Sequence, residues 1–253
     1  MTGRVVIVTG GGRGVGRSIA TRFLCAGAEV VICGRPPPAD VPRSGERCAV
    51  FVEADVREIE AIDRVVTMTR ERFGRLDVLV NNAGGTPSAD AATASPRLSA
   101  AIISLNLIAP LYFAQRVNGV MHRQREGGAI VNIASVSGTR PSPGTAAYGA
   151  AKAGLLNLTQ TLAVEWGPKV RVNAVTVGMI HTEQSRTHYG DSSRAAAVAA
   201  TVPLGRLGER EDVADACLFL ASPLAAHISG ASIVLHGGGE RPAFLAAAKS
   251  AAP

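Results

Sequence analysis

The sequence predicts an α/β fold, in which a single doubly wound parallel sheet carries helices on both faces. Three observations support this prediction. Short β-branched runs alternate with longer helical patterns, which is typical of βαβ units and a parallel sheet. The runs VVIV and AIVNIA are apolar throughout, as expected of strands covered on both faces. A glycine cluster follows the first strand and opens the first helix.

The alternation places helices between successive strands. The predicted strands are Val5–Thr9, Glu29–Cys33, Ala49–Glu53, Val78–Asn81, Ala129–Ala134, Arg171–Val177 and Ser232–His236. The predicted helices include Gly14–Ala26, Glu58–Phe73, Ser95–Arg123, Ala147–Trp166 and Arg210–Leu220. Because no linker or internal repeat divides the chain, we predict one domain over residues 1–240, followed by a tail over 241–253 that is rich in small residues.

Composition and charge argue against several classes of protein. The chain has 253 residues and is 47% hydrophobic, enough for a sizeable core. Its net charge is +6, but the arginines are scattered, so we expect a basic surface or a site for a phosphorylated ligand, and no nucleic-acid partner. Lacking an apolar run of about 18 residues and a signal-peptide pattern, the chain is predicted to be cytoplasmic, with no membrane partner.

The four cysteines are Cys25, Cys33, Cys48 and Cys217, and none shows CxxC spacing. This spacing predicts small core residues of a reduced protein rather than disulfides or metal ligands. The predicted site therefore contains no metal.

A glycine cluster joins the first strand to the first helix. Strand Val5–Thr9 leads directly into TGGGRGVGRSIA, which places Gly10, Gly14 and Gly16 between strand and helix. Without Cβ atoms the backbone can approach a pyrophosphate closely, and N–H groups at the helix N-terminus face its charge. Turns also use glycine, and the spacing is TGxxxGxG rather than GxGxxG. The strand and helix on either side nevertheless favour a dinucleotide cofactor.

The residues after the second strand indicate which nicotinamide cofactor fits. An acidic residue about 20 residues beyond the glycine loop binds the ribose 2′-OH of NAD. Here VVICGR places Gly34 where that acid is expected, and Arg35 follows. Arg13 lies inside the glycine loop. Because two guanidinium groups can clamp a 2′-phosphate, the sequence favours NADP(H) over NAD(H); surface arginines are the alternative.

A tyrosine and a lysine share one face of the predicted helix Ala147–Trp166. In YGAAK, Tyr148 and Lys152 are four residues apart, which is one helical turn. A free tyrosine has a pKa of about 10, and a nearby ammonium group lowers that pKa. The pair could then exchange a proton with a carbinol or carbonyl oxygen. Alone, the spacing also fits a tyrosine at a helix start and a solvated lysine.

Two strand ends add polar groups near this pair. Ser135 ends the strand run IVNIAS, and Ser137 is the neighbouring candidate. Carboxyl ends of parallel strands line the ligand crevice of an open sheet, where a hydroxyl can hydrogen-bond a substrate oxygen. The strand Val78–Asn81 leads into NNAGG at the same edge. We therefore expect a catalytic site at this edge.

Ordered motifs span nearly the whole chain. They are TGGGRGVG at 9–16, Asp55-Val56, NNAG at 81–84, Asn106 in LNL, Ser135, YGAAK at 148–152, RVNAV from 171, PLGRLGEREDVA at 203–214 and the ending SGASIVLHGGG. In these motifs the sequence resembles the short-chain dehydrogenase/reductase family, and in a general way its 3-oxoacyl reductases. The resemblance implies one Rossmann-type domain that transfers a hydride between a nicotinamide cofactor and an alcohol or carbonyl.

The resemblance also implies roles for individual residues. Tyr148 would be the catalytic acid/base, and Lys152 would lower its pKa and hold the ribose hydroxyls. Ser135 would orient the substrate oxygen, and Asn106 would support a water-linked proton relay through its helix backbone. The other implied cofactor contacts are Gly10, Arg13, Gly14 and Gly16 at the phosphates, Asp55 and Val56 at the adenine, Asn82 and Gly84 on the ribose side, and Thr182 at the nicotinamide end.

The sequence departs from the family pattern in three places. Val177-Gly178 replaces the usual Pro-Gly after the sixth strand, and valine restores an N–H donor there. His236 replaces the usual acidic residue before the final glycines and is predicted to be structural. The chain also continues through ERPAFLAAAKSAAP. Family members often form tetramers, so we expect a homo-oligomer, a tetramer or a dimer, whose tail covers a neighbouring site or frays.

Substrate identity is expected to depend on the segment His181–Val202. Its basic groups are Arg186, His188 and Arg194, with Tyr189 beside them. They would meet an anionic substrate such as an acyl thioester, unless the segment is simply a solvated loop. The predicted substrate is a secondary alcohol or ketone, either a 3-oxoacyl thioester or an alicyclic, steroid-like ketone. The alternatives are a dinucleotide-binding regulator or scaffold without turnover, and an isomerase or dehydratase.

Overall fold

Seven parallel strands form the central sheet. The computed structural model describes residues 1–183, 191–240, 242 and 244–245. The strands are β1 Val5–Thr9, β2 Glu29–Gly34, β3 Arg43–Ser44, β4 Arg47–Cys48, β5 Val50–Glu53, β6 Val78–Asn81, β7 Gly128–Ser135, β8 Val170–Val177 and β9 Ser232–Leu235. The sheet order is β5-β2-β1-β6-β7-β8-β9, and β3 pairs with β4 in a separate hairpin. The predicted doubly wound fold is confirmed, whereas the hairpin was not predicted.

Helices cover both faces of this sheet. They are α1 Gly14–Cys25, α2 Ile59–Phe73, α3 Pro96–Ile103, α4 Ala109–Met121, α5 Ala146–Trp166, α6 Ser192–Thr201 and α7 Arg210–Ala221. On one face α2, α4 and α5 pack against the strands, with Phe113 and Leu162 in the core. On the other face α1 and α7 bring Ile19 and Val213 into a second core. All of β1 is buried because its side chains alternate between these two cores.

The predicted helix Ser95–Arg123 is interrupted. Between α3 and α4 the backbone forms a π-helical turn over Ser104–Ile108, in which the Ala109 N–H donates to the Ser104 carbonyl. Pro110 follows, and proline has no N–H to donate to the carbonyl four residues earlier, that of Asn106. The wider turn relieves the clash between the proline ring and that carbonyl, and it points Asn106 into the protein.

The segment His181–Val202 is not a loop throughout. Its second half forms α6, in which Asp191 caps the N-terminus and accepts a hydrogen bond from the Arg194 N–H at 3.0 Å. The sequence SSRAAAVAAT explains this helix, because alanine has the highest helix propensity. Arg186, His188 and Tyr189 lie outside the described residues.

One expectation, that all four cysteines are core residues, needs correction, and one long apolar helical stretch lies partly in the core. Cys33 and Cys217 are buried as predicted, but Cys25 and Cys48 are exposed. The helical stretch Pro96–Met121 is long and apolar enough to cross a membrane by length and composition, with a mean hydropathy of 1.5. Part of it, including Val117 and Met121, packs into a core, and core helices pass the same test.

Candidate active site

The strand order reverses between β1 and β6, and the site lies at that point. β2 and β5 extend the sheet on one side of this pair, and β7, β8 and β9 extend it on the other. Connections therefore leave β1 and β6 in opposite directions and open a crevice at the carboxyl ends of the strands. Thr9, Asn81, Ser135 and Val177 end the four strands around this crevice.

The glycine loop is shaped so that only glycine fits at several positions. Gly10 and Gly14 have φ of 66° and 53°, in the left-handed region that L side chains rarely adopt. A Cβ on Gly16 would lie 2.3 Å from the Gly10 carbonyl oxygen, so α1 packs directly on the loop. Arg13 gives α1 no side-chain cap. The free N–H groups and the close backbone fit a pyrophosphate at the start of α1.

Thr9 and Asn82 hold this loop in place. The Thr9 hydroxyl accepts hydrogen bonds from the backbone N–H groups of Asn82 and Ala83, both at 2.9 Å. The Asn82 side-chain amide donates to the Thr9 carbonyl at 2.8 Å. The Asn82 amide thus ties the end of β6 to the glycine loop, and its expected contact on the ribose side stays a prediction. Sequence reasoning missed Thr9, although a threonine at the carboxyl end of β1 was a signal.

Ser135, Tyr148 and Lys152 come together at the end of β7. Tyr148 lies in the first turn of α5, and its hydroxyl hydrogen-bonds the Ser135 side chain. Lys152 lies one turn later, and its ammonium nitrogen is 5.6 Å from the centre of the Tyr148 ring. The Lys152 Nζ donates to the Ile133 carbonyl at 2.7 Å. The β7–α5 contact thus places a hydroxyl, a phenol and an ammonium group around one point.

Burial dominates the protonation of these groups. Burial raises the pKa of Tyr148, and the hydrogen bond with Ser135 only partly opposes it. Burial lowers the pKa of Lys152 to about 8, since its side chain is 3% exposed. The expectation that Lys152 lowers the tyrosine pKa is therefore not met in the structure, because Lys152 bonds a backbone carbonyl and the effect of burial is larger.

Asn106 completes the buried side of the site. It is fully buried in the π-helical turn, and its side chain exchanges two hydrogen bonds of 2.9 Å with the backbone of Gly85. A Cβ on Gly84 would lie 2.7 Å from Asn106 Oδ1 and 3.5 Å from Lys152 Nζ. Asn106 thus positions the loop after β6 beside Lys152, while the proline leaves its backbone carbonyl without the usual helical donor.

The predicted adenine end of the crevice is basic. Arg13 and Arg35 are exposed, and within the described part of the chain neither side chain forms a hydrogen bond or an ion pair. A Cβ on Gly34 would meet nothing within 4 Å. Asp55 is bound by Arg57, whose Nε donates at 2.9 Å, and this bond lowers the pKa of Asp55, with a smaller contribution from Arg35. Val56 beside it is buried.

The departures from the family pattern at the end of β8 do not interrupt the sheet. Val177 pairs with Leu235 in the sheet, and the Gly178 N–H donates to the Leu235 carbonyl at 2.8 Å. Valine therefore continues the ladder where a proline would end it. A Cβ on Gly178 would lie 2.6 Å from the Cβ of His236, so the histidine packs against this glycine. Thr182 lies four residues after Gly178 and makes a polar contact.

A cavity of about 220 Å³ opens beside Ser135. Val136 and Met179 give it apolar walls, and polar groups come from Thr139 and His236. Arg140 and Glu240, which form an ion pair, also line it. This cavity adjoins the end of β7 that carries Ser135, so it is the candidate space for a substrate.

Comparison with known proteins agrees with this geometry. Residues 10–240 match the family model described as enoyl-(acyl carrier protein) reductase. The chain is 36% identical to the L-rhamnose 1-dehydrogenase (NAD(P)(+)) of Azotobacter vinelandii, covering 93% of this chain and 96% of that protein. It is 35% identical to the 3-oxoacyl-[acyl-carrier-protein] reductase of Synechocystis, covering 94% and 97%.

A solved structure shows the same architecture. The aldohexose dehydrogenase of Thermoplasma acidophilum superimposes with a TM-score of 0.87 at 30% sequence identity, over 93% of each chain. The sequence matches and the structural match thus both cover almost the entire chain. The chain belongs to the short-chain dehydrogenase/reductase family of NAD(P)-dependent oxidoreductases.

Proposed function

We propose that this protein interconverts a secondary alcohol and a ketone with NADP(H), and that Tyr148 is the acid/base. The single observation that carries the proposal is the contact of Tyr148 with Ser135 beside Lys152, at the carboxyl edge of the sheet. When bound, the nicotinamide cofactor supplies or accepts the hydride. Gly10, Gly14 and the start of α1 would hold its phosphates.

Each group of the cluster has a distinct task in this proposal. In the direction of reduction Tyr148 donates its phenolic proton to the carbonyl oxygen, and its raised pKa keeps that proton available at neutral pH. Ser135 orients the same oxygen by a hydrogen bond. Lys152 keeps an ammonium group 5.6 Å from the centre of the Tyr148 ring, and it binds the ribose hydroxyls. Asn106 keeps the loop after β6 in place and offers its carbonyl to the proton relay.

The preference for NADP(H) is proposed from the basic adenine end. Arg13 and Arg35 are exposed and unpaired among the described residues, and Gly34 leaves open the position where an acid would repel a 2′-phosphate. Fluorescence titration of the wild-type protein with NADPH and NADH tests this preference. Tighter binding of NADPH supports it, and tighter binding of NADH would show that both arginines are surface residues.

Arg35→Asp sharpens the cofactor test. Loss of one charge-assisted phosphate contact should lower the NADPH-to-NADH ratio of kcat/KM by roughly tenfold to a hundredfold. Arg123→Asp is the matched control, because this exposed arginine follows α4, and it should leave the ratio unchanged. An unchanged ratio in Arg35→Asp would contradict the assignment.

The substrate proposal keeps two ketone classes, 3-oxoacyl thioesters and alicyclic, steroid-like ketones. Arg140 and Glu240, however, make the cavity beside Ser135 polar, and this favours a hydroxylated sugar as a further candidate. The names of the rhamnose and aldohexose dehydrogenases point the same way. A panel of acetoacetyl thioester, a cyclic ketone and aldoses with both cofactors separates the three. Cofactor binding without turnover on this panel would favour a dinucleotide-binding regulator.

We also propose that the protein is a homo-oligomer. Among the described residues, large apolar side chains are exposed on α5, after α7 and on the edge strand β9: Val164 is 84% exposed, Leu224 82% and Val234 53%. Two copies that meet at these surfaces would bury them and protect the free edge of the sheet. The particle mass from light scattering distinguishes monomer, dimer and tetramer.

A further inference from the structure

A carboxylate lies against the glycine loop. Glu183 follows β8 and Thr182, and its Oε2 would be 3.8 Å from a Cβ built on Gly14. Gly14 is the first residue of α1, whose first turn contains no acidic residue and whose N-cap, Arg13, makes no side-chain cap. The positive end of this helix attracts anions, and Glu183 is the acidic side chain beside it. Its carboxylate therefore lies beside Gly14, at the expected pyrophosphate position.

An arginine holds this carboxylate. The Arg210 Nη1 forms an ion pair with Glu183 Oε1, from the first residue of α7. The Arg210 side chain is 30% exposed and that of Glu183 is 59% exposed, so the carboxylate is the more solvated partner. The Arg210 Nε is buried and has no hydrogen-bond partner among the described residues. The guanidinium therefore has donor capacity that Glu183 does not use.

The packing of α1 and α7 fixes this arrangement. The Ser18 hydroxyl donates to Glu211 at 3.0 Å, and one turn further along both helices Arg22 pairs with Asp215 at 2.8 Å. The two helices thus run in the same direction with matched turns, and Arg210 begins α7 close to the start of α1. A phosphate oxygen at the helix start would be within reach of the same guanidinium that now binds Glu183.

We propose that Glu183 is a displaceable occupant of the pyrophosphate position and that Arg210 is a further phosphate ligand. When a dinucleotide binds, its pyrophosphate takes the place of the Glu183 carboxylate, and Arg210 exchanges one anion for the other. The bound arrangement then pairs Arg210 with a phosphate, whereas in the free protein the carboxylate competes with the cofactor. This inference rests on the proposed binding of a nicotinamide dinucleotide at the glycine loop.

Equilibrium binding to two neutral variants tests the inference. Glu183→Gln should bind NADPH and ADP-ribose about threefold to tenfold more tightly than the wild type, and Arg210→Gln about tenfold more weakly. Adenosine 2′-monophosphate, which lacks a pyrophosphate, should bind the wild type and both variants alike. Binding is measured by calorimetry, so that no result depends on turnover.

The interface of α1 and α7 supplies matched controls. Asp215→Asn and Arg22→Gln make the same charge changes one turn away from the helix start, and neither should alter the dissociation constants. Thermal unfolding shows whether each variant is folded, and Arg210→Lys, which keeps the charge, should bind more tightly than Arg210→Gln. Unchanged or weaker binding in Glu183→Gln, or unchanged binding in Arg210→Gln, would overturn the inference. A wild-type protein that binds neither ADP-ribose nor NADPH would instead refute the cofactor assignment itself.

Discussion

The two edges of the central sheet treat buried charge in opposite ways. At the amino ends of the strands, the Asp77 carboxylate accepts hydrogen bonds from Arg4, from Arg75 and from the Val5 N–H, at 2.7 to 2.9 Å. At the carboxyl ends, Lys152 is equally buried, but its bonded partner is a neutral carbonyl. One edge neutralises its charge with opposite charges, and the other isolates a charge inside the protein.

The pKa values of the two residues record this difference. Burial raises the pKa of Asp77, but its hydrogen bonds with Arg75, Val5 and Arg4 outweigh burial, so the pKa lies below its usual value. Burial alone lowers the pKa of Lys152 to about 8. Asp77 is held in its charged form and stabilises the fold, whereas Lys152 is held near the point at which it exchanges a proton. In the proposed function, stability and reactivity are therefore separated on one sheet.

Asp77→Asn should give the largest change in stability. The substitution leaves the two arginines without their buried carboxylate, and it should lower the free energy of unfolding by roughly 2 to 4 kcal/mol at pH 7. The loss should shrink as the pH falls below about 4, because Asp77 there takes up a proton in the unfolded chain, and at still lower pH, below its depressed pKa, in the folded protein as well. Denaturant unfolding at pH 7 and at pH 3.5 measures both values.

A surface ion pair provides the control for this prediction. Asp63 pairs with Arg116 at 2.7 Å, but both side chains are 43% to 50% exposed. Asp63→Asn should therefore cost at most about 1 kcal/mol. The comparison of the two edges would fail if Asp77→Asn were no more destabilising than this control. It would also fail if the loss of kcat/KM, expressed as a free energy, were as large as the loss in the free energy of unfolding.

At the carboxyl edge of the sheet, the deprotonation of Lys152 should give a smaller effect, seen in the pH dependence of the reaction. Lys152 loses its proton above a pKa of about 8, so kcat/KM for NADPH in the reductive direction should fall about tenfold per pH unit above that value. Profiles from pH 6 to pH 10 measure this decline. Lys152→Met, which has no proton to lose, should show lower activity and no decline near pH 8. A wild-type profile that stays flat to pH 10 would separate Lys152 from the reaction.

The sequence predicted the strands and the grouping of Ser135, Tyr148 and Lys152, for a physical reason. Buried parallel strands must be apolar on both faces, so runs such as Val5–Thr9 appear directly in the sequence. Strand ends at one edge must converge, so Ser135 and Tyr148 could be placed together before the structure was known. The spacing of motifs along the chain predicts such a group of residues, because the topology of a parallel sheet brings the residues that follow its strands to one edge.

Other features of the site depend on burial and on contacts between distant residues, which the spacing of motifs in the sequence does not reveal. The direction of the Tyr148 pKa shift follows from burial, which the four-residue spacing to Lys152 cannot reveal. The Glu183–Arg210 pair joins residues 27 positions apart across two elements. The π-helical turn at Asn106 had one available signal, the proline at 110 inside a helical pattern, and that signal was missed.

The central claim is that Tyr148 transfers the proton, and Tyr148→Phe tests it most directly. This variant removes only the hydroxyl, so NADPH binding should stay within about twofold of the wild-type value while kcat falls by about a hundredfold or more on any ketone that the wild type reduces. Titration and turnover on the same sample measure both quantities. Retention of kcat near the wild-type value in Tyr148→Phe would contradict the assignment.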